Sequence, residues 1–157
     1  MSILKVDTLQ PATSSFVDIA GHIIGYGHAE HTTQLVVTST SFVDSGISLS
    51  YTAKKANSKL LINWCVPCEH YDGGSNSELI GQLQLFKDGS TVGSDYDSLL
   101  TQENIKRSGG SVTAQCLLDA GDTSAHTWKL YAKTTADNFT IFRYGVRGNL
   151  TILEIAQ

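Results

Sequence analysis

The stretch Lys59-Leu60-Leu61-Ile62-Asn63-Trp64-Cys65-Val66-Pro67-Cys68 decides the fold. Leu60, Ile62, Trp64 and Val66 fall on one side of an extended chain, and Leu61, Asn63 and Cys65 on the other. A helix would scatter the first set around its circumference, whereas a strand with one face buried requires this period of two. The pattern recurs on both sides. Ile47, Leu49 and Tyr51 alternate with Ser48, Ser50 and Thr52; Leu79, Leu83 and Leu85 oppose Ile80, Gln82, Gln84 and Phe86. Val112, Ala114, Cys116 and Leu118 oppose Thr113 and Gln115, and Trp128, Leu130 and Ala132 oppose Lys129, Tyr131 and Lys133. Residues 34–40, 139–144 and 149–155 are further strand candidates. Turn residues separate the runs: Asp72-Gly73-Gly74, Ser108-Gly109-Gly110, Ala120-Gly121-Asp122 and, as a two-residue hairpin signal, Asp88-Gly89. The expected fold is all-β, an antiparallel jelly-roll sandwich of about eight strands. Residues 95–106 read either as a short helix capped by Asp97 or Ser98 or as a long loop.

The first 31 residues lack this pattern. Ile3, Val6 and Leu9 are isolated apolar residues, Pro11-Ala12-Thr13-Ser14-Ser15 is a breaker stretch, and Gly21, Gly25 and Gly27 loosen the segment up to His28. The expected organisation is an anchoring arm over 1–31, with Ile3, Val6 and Leu9 as its contacts, and a β domain over 32–157. No repeat is visible.

Composition narrows the function. The 157 residues carry 11 Lys and Arg against 15 Asp and Glu, a formal net charge of −4, with no basic cluster. Nucleic acid is therefore not an expected partner, since phosphate binding needs concentrated positive charge. No apolar run approaches the ~18–20 residues that span a bilayer, and the opening Met1-Ser2-Ile3-Leu4-Lys5-Val6-Asp7 does not read as a secretory signal. Three cysteines are too few for a disulfide scaffold. Cys65-Val66-Pro67-Cys68 has redox spacing, but it ends a strand-like run and no helix follows to stabilise a thiolate, so it reads as two structural thiols.

Catalytic signatures are missing. There is no Gly-x-Ser-x-Gly elbow, phosphate-binding glycine loop or His-Glu-x-x-His, and Gly25-Tyr26-Gly27 lacks the rest of a dinucleotide fingerprint. The carboxylates are scattered and no glycosidase-like pair stands out in the sequence, although the members of such a pair meet only in space. The expectation is a protein that is not an enzyme and needs no cofactor. His22, His28 and His31, with Glu30 among them, have spacing compatible with a metal site shared across an oligomer axis and equally with ordinary loop histidines.

The second faces of the strands say more. Leu61, Phe86, Tyr131, Phe142, Tyr144, Leu153 and Ile155 accompany Asn63, Gln82, Gln84 and Thr113, with few charges. A free sandwich would present a charged outer face. Amides, hydroxyls and aromatics suit a face covered by another subunit, so a homo-oligomer is expected, with Phe86, Tyr131, Phe142 and Tyr144 at its interface. Loops over 70–77, 93–107 and 120–126 are rich in Asp, Ser, Asn and Gly; His70, Asp72, Asn76, Asp95 and Tyr96 are their candidate contact residues.

Several segments resemble phage virion proteins. Met1-Ser2-Ile3-Leu4-Lys5-Val6-Asp7-Thr8-Leu9-Gln10 resembles the start of structural proteins of cyanobacterial phages. The run from Val43 through Ala56-Asn57-Ser58-Lys59 to Ile62 is similar to strands of their fibre-tip domains, although Thr52-Ala53 lacks the usual proline. Leu85-Phe86-Lys87-Asp88-Gly89 resembles a family hairpin, and Leu150-Thr151-Ile152-Leu153-Glu154-Ile155-Ala156 its closing strand. The resemblance implies a trimeric jelly roll similar to tumour-necrosis-factor and C1q heads, located on the virion. It implies a non-enzymatic tail-fibre or host-attachment subunit or, alternatively, a capsid decoration protein. Its arm would dock on other virion proteins and its loops would meet a host glycan or protein. A carbohydrate-active enzyme or lectin is the remaining alternative.

Overall fold

The computed structural model describes residues 19–71, 80–93, 96–99, 107–136 and 138–157. They form eleven strands: β1 (Ile23–His31), β2 (Leu35–Val37), β3 (Val43–Thr52), β4 (Lys59–Tyr71), β5 (Ile80–Lys87), β6 (Ser90–Thr91), β7 (Tyr96–Leu99), β8 (Arg107–Asp119), β9 (Ala125–Thr134), β10 (Asn138–Ile141) and β11 (Gly148–Ile155). A six-stranded sheet is built around β4. On one side of β4 lies β8; on the other, β11 and β10 lie end to end, flanked in turn by β1 and β2. The second sheet runs β3-β9-β5, and β5 also pairs with β6 and β7. Every pairing is antiparallel, and the long strands alternate between the sheets, the arrangement of a jelly roll.

The core lies between the sheets. Ile62, Trp64 and Val66 of β4 meet Leu83 and Leu85 of β5 and Trp128 and Leu130 of β9, all at most 1% exposed. The alternation around Lys59–Tyr71 is complete, every second residue being buried. Pro67 has no N–H for a ladder and would be out of place inside a continuous sheet. Here the neighbouring strand line is broken: β11 pairs up to Cys65, β10 resumes at Cys68, and Phe142 N donates to the Pro67 carbonyl at 2.9 Å between them. The Asp88-Gly89 hairpin has φ of 49° and 82°, both positive as a type I′ turn demands.

Two sequence expectations are corrected. The boundary at residue 31 falls at the end of a strand, since β1 pairs with β11 from Ile23↔Ile155 to His31↔Gly148. Its inward positions are Gly25 and Gly27 because Tyr51 crosses from the other sheet; added Cβ atoms would sit 2.1 Å and 2.8 Å from its side chain. Ile3, Val6 and Leu9 lie outside the described residues. Within 95–106, Tyr96–Leu99 is a strand on β5 rather than a helix or loop, paired from Ile80↔Leu99 to Leu83↔Tyr96.

A buried carboxylate fastens one end of the sandwich. Glu154, fully buried on β11, accepts from Tyr51 OH at 2.8 Å, Ser58 Oγ at 2.6 Å, Lys54 N at 2.9 Å and Lys55 N at 3.0 Å. Burial alone would raise its pKa; the Ser58, Lys54 and Tyr51 hydrogen bonds outweigh it and hold the carboxyl below its ordinary value. Burial and the same carboxylate push the Tyr51 phenol above its usual range.

Candidate functional site

Antiparallel register places directly opposed residues on one face, so the outer surface of the first sheet is read as rows across the strands. Tyr26, Leu153, Leu61 and Leu117 form an apolar row over β1, β11, β4 and β8. Tyr26 is 64% exposed and Leu117 58%. The next rows are His28–Thr151–Asn63–Gln115 and Glu30–Asn149–Cys65–Thr113. On β11, β4 and β8 these three rows contain no charged side chain. An ion pair closes the apolar end, Lys59 Nζ to Asp119 at 2.5 Å.

Beyond Pro67 the same face becomes a polar pocket of about 260 Å³. One row sets Val36 of β2 beside Thr140 of β10 and Glu69 of β4, followed by Gly109 of β8. The row after it sets Asn138 beside Tyr71 and Arg107. Gln34 and Arg143 complete the lining. Arg143 forms an ion pair with Glu69, both largely covered. Arg107 is exposed and lies 5.2 Å from the Tyr71 ring centroid; among the described residues no carboxylate pairs with it.

The outer face of the second sheet is different. Phe86 lies 4.2 Å from Tyr131 and 5.8 Å from Phe42 between ring centroids, and Lys133 Nζ sits 4.3 Å over Phe42. Lys129 bridges to Asp44 at 2.7 Å. Gln84 is fully buried although it shares this face, its Nε2 donating to the Val92 carbonyl at 2.8 Å. The aromatics here are engaged with their own chain.

Comparison with solved structures supports one conclusion. Eiger TNF from S. frugiperda superposes with a TM-score of 0.51 at 10% identity, over 87% of this chain and 95% of that one. The shared property is the jelly-roll fold. The VP2 subviral particle protein of infectious bursal disease virus matches with a TM-score of 0.43 at 15% identity, over 98% of this chain but 37% of that one. No protein-family model and no curated protein matches the sequence.

The expected site residues are dispersed over the jelly roll. Phe86 and Tyr131 lie half-buried on the second sheet, whereas Tyr144, 82% exposed, sits in the turn between β10 and β11. Phe142 is a correction: it is fully buried, at φ 55°, with its ring edge-on to His31 at 5.1 Å. The β10–β11 break turns it inward, and Gly148 is required beneath it, since a Cβ there would lie 2.3 Å from the ring. His70 is also corrected, from loop contact to core: it is 2% exposed and stacked 4.8 Å from Phe139. Tyr96 lies on β7, and Asp72, Asn76 and Asp95 lie outside the described residues.

The histidines do not converge. His28 points outward, sharing a 2.9 Å hydrogen bond with Thr151 Oγ1 and lying 3.2 Å from Glu30, while His31 points inward and His22 is exposed before β1. Among the described residues no group of three or more His, Cys, Asp or Glu side chains is placed to hold a metal. Cys65 and Cys68 occupy opposite faces of β4, and none of the three cysteines is in a disulfide. Burial pushes the Cys116 thiol up to about 11, away from nucleophilic use at neutral pH. Sequence reasoning missed the pocket, whose lining comes from five separate segments. The polar outward positions Glu69, Tyr71, Asn138 and Thr140, flanking inward His70 and Phe139, were the available signal.

Proposed function

We propose that this chain is a non-enzymatic structural protein of a bacteriophage virion, a homotrimer displayed as a short tail-fibre or host-attachment subunit. The observation that carries the oligomer is the outer face of the first sheet, where the row Tyr26–Leu153–Leu61–Leu117 and two amide and hydroxyl rows present no charge on β11, β4 and β8. Covering apolar area is favourable at roughly 25 cal/mol per Å². The amides and hydroxyls beside it supply the hydrogen bonds that a buried interface needs. A cyclic trimer closes three equivalent faces and leaves no open sheet surface. The occupant of this face is therefore a second copy of the chain, and Phe86 and Tyr131 stay on the outside of the assembly.

The virion location rests on the likeness of the opening segment, the Leu85–Gly89 hairpin and the closing strand to phage structural proteins, together with the jelly-roll fold. Locating the protein in a cryo-electron map of the particle tests it. Trimeric density at the tail is expected. Density distributed over the head would make it a decoration protein instead, and absence from purified particles would overturn the virion reading.

A further inference from the structure

We propose that the pocket at the β2–β10–β4–β8 end of the first sheet binds a saccharide carrying a carboxylate group. Its charge sets the sign of the ligand. Glu69 and Arg143 neutralise one another, so Arg107 leaves the lining at +1 in a chain whose formal net charge is −4. The Tyr71 ring lies beneath the Arg107 guanidinium, and no carboxylate of a described residue engages it. A planar guanidinium held against a ring presents its fork to a planar carboxylate, which it binds through two parallel hydrogen bonds.

The remaining lining sets the ligand class. Asn138, Thr140 and Gln34 offer neutral side chains that donate and accept, as a run of sugar hydroxyls requires. Gln34 Oε1 already accepts from Tyr144 N at 3.3 Å, which leaves its amide N–H₂ as a donor. Gly109 contributes no side chain to the row of Glu69, and a Cβ there would meet no side chain of a described residue within 4 Å, which leaves room for a continuing chain. The volume of about 260 Å³ falls just below the ~300–1,000 Å³ range of drug-sized ligands and suits one sugar ring with its neighbours outside. This inference holds whether or not the chain belongs to a virion.

Isothermal calorimetry with trigalacturonate, its neutral counterpart trigalactose and inorganic sulfate tests it. Trigalacturonate should bind at millimolar or better affinity while trigalactose and sulfate bind at least about tenfold more weakly, because a charge-assisted pair and the hydroxyl contacts are both needed. Arg107→Gln, at an exposed position with no ion-pair partner among the described residues, should weaken binding about tenfold or more without moving the unfolding temperature. Thr140→Val, which keeps the packing shape, should weaken it severalfold. Equal binding of the neutral trisaccharide, equal binding of sulfate, absence of trigalacturonate binding, or full affinity in both folded variants would each overturn the proposal.

Discussion

The two outer faces of the sandwich have similar backbones but different chemistry. On the second sheet, Phe42, Phe86 and Tyr131 pack on one another under Lys133, and Lys129 is bridged to Asp44. On the first sheet, Leu61, Leu117, Leu153 and Tyr26 line up as an apolar row in which Leu117 is 58% and Tyr26 64% exposed, with Tyr26 stacked 6.2 Å from the His28 ring. The proposed interface is the face on which, among the described residues, an apolar row stays exposed.

The sharpest way to break this contrast is to compare aromatics in the core and on the surface. Phe142→Ala should cost about 3–5 kcal/mol, as truncation of a fully buried ring does, and be seen as a large drop in the denaturation midpoint. A loss below about 1 kcal/mol would return Phe142 to the surface. The next effect concerns association. Leu61→Asp combined with Leu117→Asp should leave a folded monomer at micromolar concentration, because an uncompensated charge in a covered interface costs about 3–5 kcal/mol. Light scattering reads the mass and circular dichroism the fold.

Phe86→Ala should do the reverse, lowering chain stability by about 1–3 kcal/mol through lost burial and ring contact while the assembly mass stays the same. Dissociation by this variant would exchange the roles of the two faces. Asp44→Asn, which breaks a half-exposed ion pair on the same face, should cost under about 1 kcal/mol in a denaturant titration.

The smallest effect is a pH dependence at one end of the second sheet. His126 Nδ1 lies 2.6 Å from Asp88 and Nε2 3.0 Å from Asp122, joining the β5–β6 turn to the β8–β9 loop. The Asp88 hydrogen bond, aided by Asp122 and opposed by partial burial, raises the His126 pKa above its ordinary 6.5. A raised pKa contributes stability that is complete below about 6.5 and lost as pH rises through the folded value. Asp88 is held below its ordinary 3.8 by Thr127 N and His126, and Asp122 by Ser124 N and His126. Their contribution is complete above about 4 and lost on acidification. Thermal unfolding should show a shallow decline from pH 6 to pH 8 that His126→Gln removes; an unchanged slope in the variant would dismiss this clasp.

The sequence pattern exposed the strands wherever the buried side chains were apolar. β4, β5 and β9 read directly, as did β8 from Val112 onward and the Asp88-Gly89 hairpin, whereas Ser108-Gly109-Gly110, read as a turn, lies inside β8 and pairs with β4. β1 was hidden because Gly25 and Gly27 take its inward positions, and their cause, Tyr51, is more than twenty residues away in another strand. β7 was hidden by a capping pattern that its pairing with β5 overrides. Glu154 looks like a surface carboxylate until Tyr51, Ser58, Lys54 and Lys55 are brought around it. The pocket is wholly a product of register, since Arg107 meets Tyr71, and Asn138 meets Tyr71, only through β8 and β10 pairing on β4. Phe142 was misread because period two was carried through a turn whose positive φ at Phe142, Tyr144 and Gly145 ends it.

In the proposed assembly, copies of the same chain cover the first sheet's outer face. Multi-angle light scattering on the purified protein at micromolar concentration tests it most directly. The expected mass is three times the 16.9 kDa of one chain. A dimer mass would keep a self-covered face but reject the threefold arrangement, and a monomer of 16.9 kDa would contradict the account.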